Sequence, residues 1–176
     1  MWRRVGERYL ADCLQPTVKH GGGSVMVWGC CSWWGVGPLV LIKGTLNQDG
    51  YVDVLRDHLA PYLRQLNEQH PGMMFQDDNA PCHTAKRTTQ WRQAHGIERM
   101  PWPAQSPDLN PIENLWDHLD RQVRKRKPQP TSLPELAAAL QEEWSRIPLS
   151  LVRQLITGMP TRVAEVIEAE GWHTPH

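Results

Sequence analysis

Two spacings of apolar residues alternate along the chain. Short apolar runs over Ser24–Ser32 and Leu39–Ile42, separated by Trp33-Trp34-Gly35-Val36-Gly37-Pro38, predict two strands paired as a hairpin. From Asn47 the period changes. Tyr51, Val52, Leu55, Leu59, Tyr62, Leu63 and Leu66 recur at three- and four-residue steps, which predicts an amphipathic helix running through Pro61, its apolar stripe covering one face of the sheet. Met73, Met74 and Phe75 predict a short buried strand that Asn79-Ala80-Pro81 ends. A helix over Thr84–His95, stopped by Gly96, then leads to a short strand over Ile97–Met100 halted by Pro101 and Pro103. Beyond it come a helix from Pro111 through Leu115, Leu119 and Val123 to Pro128, and two more over Ser132–Ile147 and Ser150–Gly171. The first of these opens on a Ser132/Glu135 capping-box pattern. At the other end, Trp2–Tyr9 reads as a strand and its exit with no preceding element to pair with, and Pro16–Gly23 as a loop whose glycines serve a turn. The alternation of strands and helices, clearest from Met73 to Met100, gives an α/β class.

Composition narrows the partners rather than naming them. At 176 residues the chain suits one domain with a real core. Nineteen basic and nineteen acidic residues cancel, so contact with nucleic acid has to come from local clustering. The apolar stretches are too short to cross a bilayer, and Arg3, Arg4 and Glu7 interrupt any signal-peptide core; the expectation is a soluble, intracellular chain with no membrane partner. Cys13, Cys30, Cys31 and Cys82 have no CxxC spacing, and adjacent Cys30 and Cys31 in a strand point to opposite faces, so reduced thiols are expected.

The candidate chemistry lies between Met73 and Glu113. Asp77 and Asp78 stand where a strand delivers side chains to a sheet edge. Glu113 is the third residue of a helix start in which Asn110 is the N-cap and Pro111 the first helical position, so its carboxylate gains from the helix dipole. Taken singly, each is equally well a turn former or half of a capping box. Their spacing is more specific. Thirty-four residues separate Asp78 from Glu113, and the flanking words are Gln76-Asp77-Asp78-Asn79-Ala80-Pro81-Cys82-His83 and Ser106-Pro107-Asp108-Leu109-Asn110-Pro111-Ile112-Glu113-Asn114. Together they resemble the last two acids of DDE transposases of the mariner superfamily, in its Tc-type branch. Pro16–Gly29, Gly37-Pro38-Leu39-Val40 and Met159-Pro160-Thr161-Arg162-Val163 extend the resemblance along the chain.

The resemblance implies a ribonuclease H-like fold, a mixed sheet flanked by helices with further helices at the C-terminal end. It implies metal-dependent DNA cleavage and strand transfer, with Asp78 and Glu113 as second and third catalytic acids and as ligands of Mg2+ or Mn2+. Carboxylates are the natural ligands for such hard ions. The implied partner is DNA, as transposon terminal repeats, in the nucleus; homo-oligomer formation is left open. In the family the first acid lies on a strand upstream of the segment matching Trp2–Tyr9, ahead of Met1. Asp12, the sole Asp before Asp49, follows that segment in a loop and is not promoted. Residues 1–176 are therefore expected to form a single truncated catalytic domain without the first strand or the family's helix-turn-helix region, inactive as numbered. The rival expectation is a non-enzymatic, transposon-derived module that binds DNA or protein. An α/β-hydrolase reading lacks a Gly-x-Ser-x-Gly elbow.

Four further features carry a choice each. In a regular strand Asp77 faces away from Asp78, as a supporting or surface residue unless a bulge intervenes. Cys82 and His83 are adjacent and diverge, so a structural role, with His83 orienting a ligand, is preferred to a zinc pair. Arg121, Arg124, Lys125, Arg126 and Lys127 place five cations in seven residues, either as a solvated helix end or as a DNA phosphate-contact patch or nuclear localisation signal. The nine Trp are mostly core candidates, with Trp102, among prolines, open to base stacking.

Overall fold

The computed structural model describes residues 23–104 and 106–168. The readings placed on Trp2–Tyr9, Asp12, Cys13, Pro16–Gly22 and the end of the last helix lie outside these residues. Strands β1 (Met26–Ser32) and β2 (Gly35–Ile42) form the expected antiparallel hairpin, but its turn is only Trp33-Trp34, with Gly35 at φ 131°. Gly37 and Pro38 belong to β2 instead of the loop. The register between Gly29 and Cys31 is irregular, setting Cys30 against both Gly37 and Pro38, and such a bulge is where a strand tolerates a proline.

Helices cover both faces of the hairpin. Alternation along β1 sends Val27 and Cys31 into one core and Trp28 and Cys30 into the other, so the adjacent cysteines do face opposite ways. The second core is closed by α1 (Gln48–Val54), a π-helical turn (Leu55–Leu59) and α2 (Ala60–Gln69). Tyr51, Val52, Leu55, Leu59 and Leu66 are buried along this stripe as its spacing predicts. The widened turn directly precedes Pro61, which has no N–H to donate and whose ring would clash in a regular helix. Beyond it α3 (Pro81–Thr84) and α4 (Lys86–Ala94) replace the single helix expected from Thr84. The chain breaks at extended Ala85, and Gly96 at φ 63° closes the end.

The strand expected at Met73 shrinks to a bridge. Phe75 pairs in parallel with Arg99, with Phe75 N–H donating to Glu98 O at 2.9 Å and Met100 N–H to Phe75 O at 2.8 Å; Met74 is 48% exposed, so only Phe75 is buried there. Parallel and antiparallel pairing are thus both present among the described residues, as a bridge beside a two-stranded sheet.

The other face carries a 3₁₀ turn (Pro107–Leu109), α5 (Pro111–Lys125), α6 (Leu133–Ser145), α7 (Leu149–Thr157) and α8 (Met159–Glu168). The single helix expected from Ser150 is two, divided at Gly158. Leu115, Trp116, Leu119 and Val123 on α5 pack with Leu136, Leu140 and Trp144 of α6, the two indoles stacked 5.0 Å apart. Gly29 makes this approach feasible, since a Cβ there would stand 2.6 Å from Trp116 Cη2. Trp28, Trp116 and Trp144 are core as expected, whereas Trp33 and Trp34 at the hairpin turn are 39% and 38% exposed. Ser132 caps α6 by accepting from Glu135 N–H, while the Glu135 carboxylate turns to Thr131.

Candidate active site

Asp78 is held at both its main chain and its side chain. Arg99, one residue into the bridge, donates through Nη2 to Asp78 O at 2.6 Å and to Asp77 O at 3.3 Å. Side-chain Oδ1 of Asp78 accepts the Ala80 N–H at 3.0 Å and faces His83 Nδ1 at 2.7 Å. Burial alone would raise this carboxyl; the His83 and Ala80 hydrogen bonds, with the charges of His83 and Arg99, outweigh it and hold Asp78 below the usual carboxylate range. Burial likewise works to lower His83, and its hydrogen bond to Asp78 reverses that, leaving it at about 9.

Glu113 arrives from the opposite core. Asn110 is the N-cap as its position predicts, its Oδ1 accepting the Ile112 N–H at 3.2 Å, and Pro111 opens the helix. That start sets Glu113 against a cavity of about 270 Å³ which Asp78, His83, Gln76, Tyr51 and β1 also line. Burial first, and the negative charge of Asp78 second, push Glu113 up to about 7 from an ordinary 4.5. Two carboxylates from separate elements therefore face one space, and one feels the other's charge. Among the described residues no group of three or more His, Cys, Asp or Glu is arranged as a metal-ligand set.

Alternation in a regular strand would send Asp77 away from Asp78, but past the Phe75 bridge the chain is not a strand, and Asp77 lines the same cavity and faces the same His83 nitrogen. It is 7% exposed. Its carboxylate accepts from Tyr51 Oη at 2.8 Å and from Arg99 Nε, with Arg92 Nη1 at 3.5 Å and His83 Nδ1 at 3.9 Å. Tyr51, Arg92 and Arg99 are partners of Asp77 that sequence reasoning missed. The charged pair Glu98-Arg99 inside the short Ile97–Met100 run was the available signal.

The basic run is largely spoken for. Arg121 pairs with Asp117 at 3.0 Å, Arg124 with Asp120 at 2.6 Å, and Arg126 bridges to Glu142 and Glu143 of α6 at 2.8 and 2.7 Å. Lys125 and Lys127 are exposed. If phosphates are contacted here, the two lysines carry the effect. Replacing both with Gln is then expected to reduce the slope of log affinity against log salt by about 2, near 0.9 per contact. An unchanged slope in a DNA titration assigns the run to ion pairing at a helix end. Trp102 is half-buried, its carbonyl accepting from Asn79 Nδ2 at 2.9 Å.

The family model of the DDE superfamily endonucleases matches residues 1–136. The chain belongs to that family. Among its relatives, the transposable element Tcb1 transposase of Caenorhabditis briggsae is 40% identical over 99% of this chain, and the Tc1 transposase of Caenorhabditis elegans 38% over the same share. The chain spans 62% of the length of each. Among solved structures, a Mos1 transposase catalytic domain with raltegravir and manganese superposes with a TM-score of 0.81 at 21% identity, covering 93% of this chain and 82% of that one. A pre-cleavage Mos1 transpososome matches with a TM-score of 0.75 at 20% identity, over 99% of this chain and 52% of its own. The ribonuclease H-like fold and the Tc-type resemblance expected from the two acid-bearing words are both borne out.

Proposed function

We propose that residues 1–176 form a single transposase catalytic domain whose Asp78 and Glu113 hold divalent metal for cleavage and transfer of DNA strands. The observation that carries the reading is the shared cavity in which Asp78 and Glu113 meet, with Glu113 raised by burial and by its neighbour's charge. The donor set suits Mg2+ or Mn2+: two hard carboxylate oxygens, one of them bearing a penalty that a divalent cation removes. When bound, such ions neutralise charge developing on the phosphate and lower the pKa of a nucleophilic water or hydroxyl. The chain's own residues prepare this. Asp78 engages Oδ1 with His83 and Ala80, so that Oδ2 would be available to an ion, and Glu113 would hold it as the ionised carboxylate. Exposed Lys125 and Lys127 at the far end of α5 supply positive charge to a DNA backbone, which is the partner proposed here along with a nuclear location.

A third carboxylate, which the family resemblance places on an earlier strand, would come from outside the described residues. The 176-residue chain is expected to bind Mn2+ through Asp78 and Glu113, and any DNA cleavage by it or by a protein that adds an acid-bearing strand is expected to need both. The test is Mn2+ titration of the 176-residue chain beside Asp78→Asn and Glu113→Gln, followed by cleavage assays on both lengths. Mn2+ affinity indifferent to both substitutions overturns the metal site and favours a non-enzymatic DNA- or protein-binding module. Cleavage by the shorter chain, lost in Asp78→Ala, assigns the first acid's place to another of its residues, Asp12 being the first to substitute.

A further inference from the structure

The Asp78 carboxylate is asymmetrically engaged. Oδ1 receives two hydrogen bonds, from His83 Nδ1 at 2.7 Å and Ala80 N–H at 3.0 Å, whereas Oδ2 receives none among the described residues. We propose that His83 is a positioning residue for metal binding: by donating Nδ1–H to Oδ1 it fixes the rotamer of Asp78 so that Oδ2 is presented to the ion.

The local fold is built for this. Pro81 starts the one-turn helix α3 immediately after Asn79-Ala80, which folds His83 back over Asp78 five residues earlier. The imidazole is 93% buried, its side chain being 7% exposed, and lies tilted against the Tyr51 ring with centroids 4.1 Å apart. Tyr51 is fixed in turn by its hydroxyl, which donates to Asp77. Tyr51 thus backs the imidazole in its place against Asp78. The other nitrogen, Nε2, is buried without a partner among the described residues, so the ring's position is not explained by bonds made at its far side. Fixing one carboxylate oxygen by a donor so that the other meets the ion is how supporting residues tune metal sites, and losing such a donor typically lowers metal affinity 10–100-fold.

The inference rests on Asp78 being a ligand, and the experiment separates the two. Mn2+ binding to the 176-residue chain is followed by electron paramagnetic resonance for the parent, Asp78→Asn, His83→Ala, His83→Asn and His83→Gln, with thermal melts confirming folding. An Asn amide nitrogen falls close to the place of Nδ1, and a Gln amide nitrogen close to that of Nε2. His83→Ala and His83→Gln are expected to weaken Mn2+ binding 10–100-fold, and His83→Asn to remain within about 3-fold of the parent, a difference of at most ~0.7 kcal/mol. A purely structural role would weaken Asn and Gln variants alike. If His83→Ala does not fold, the Asn and Gln pair reads the same contrast. Loss of binding in Asp78→Asn with all His83 variants at parental affinity, or with Asn no better than Gln, overturns the positioning role alone. Absence of binding in the parent, or binding that Asp78→Asn leaves unchanged, overturns the metal site and this inference with it.

Discussion

Asp77→Ala is expected to destabilise the chain by about 3–5 kcal/mol, the usual cost of stripping one partner from a buried ion pair, whereas its neighbour Asp78 is expected to matter far more for activity than for folding. The asymmetry follows from what each carboxylate touches. Removing the Asp77 side chain leaves Arg92, 6% exposed, and Arg99, 19% exposed, without their anion, and deprives the Tyr51 hydroxyl of its acceptor. Arg92 is too buried to regain a full hydration shell, so most of its desolvation penalty is felt. Arg99 would lose its anchor as well, and with it the two carbonyl contacts that hold residues 77 and 78 in place. Asp78→Ala gives up the Ala80 and His83 contacts at a partly exposed position, for about 1–3 kcal/mol. In a longer protein competent to cleave DNA it should reduce the rate by orders of magnitude, since catalysis here depends on charge placed in advance. Urea denaturation of both variants, beside metal-dependent cleavage in the longer protein, checks the pair of outcomes. A folded, fully stable Asp77→Ala chain would show that Arg92 and Arg99 find other partners.

Glu113→Gln should stabilise the metal-free chain while removing a metal ligand. Raising a carboxyl from 4.5 to about 7 corresponds to roughly 3 kcal/mol against its ionised form. The folded chain therefore binds the Glu113 proton more tightly than the unfolded chain does. Its contribution is fully present below pH 4.5, is lost as pH rises through about 7, and stays lost above. Gln resembles the protonated acid in shape. Parent and variant should match in stability at low pH and diverge by up to ~3 kcal/mol in the variant's favour above pH 7. Saturating Mn2+ should close the gap by stabilising the parent alone. Denaturant midpoints at several pH values, with and without Mn2+, measure this. A difference constant across pH would mean that Glu113 is not held up by burial and Asp78.

Local signals carried much of the site into view. The Asn110-Pro111-x-Glu113 start of α5 could be read directly, because capping is decided by a few consecutive residues, and both Asn110 and Pro111 occupy the places assigned to them. Alternation at Phe75–Asp78 sets the two acids on opposite faces, whereas both face His83 Nδ1 and line one cavity, since the pairing shrinks to Phe75 and no strand continues through them. Nor could alternation say what Asp77 meets. Its partners lie at Tyr51, 26 residues away, and Arg99, 22 residues away, and no periodicity encodes contacts between elements. The same limit explains the misread helices. Pro61 lies inside a helical stripe, but the stripe does not say whether the backbone stops or widens ahead of it; the widened turn over Leu55–Leu59 keeps both leucines buried. The basic run was legible as charge; that three of its arginines end on carboxylates of α5 and α6 depended on how those helices pack.

Gly29 has a meaning beyond fitting an indole. Trp116 stands three residues beyond Glu113 on α5, and its ring comes within 2.6 Å of where a residue at position 29 would put its first side-chain carbon. A methyl group there would act as a shim, prising the helix off the hairpin and carrying Glu113 with it, away from an Asp78 that is braced from another side altogether. The gap between the two acids is thus gauged from behind, by the absence of a single carbon atom in β1.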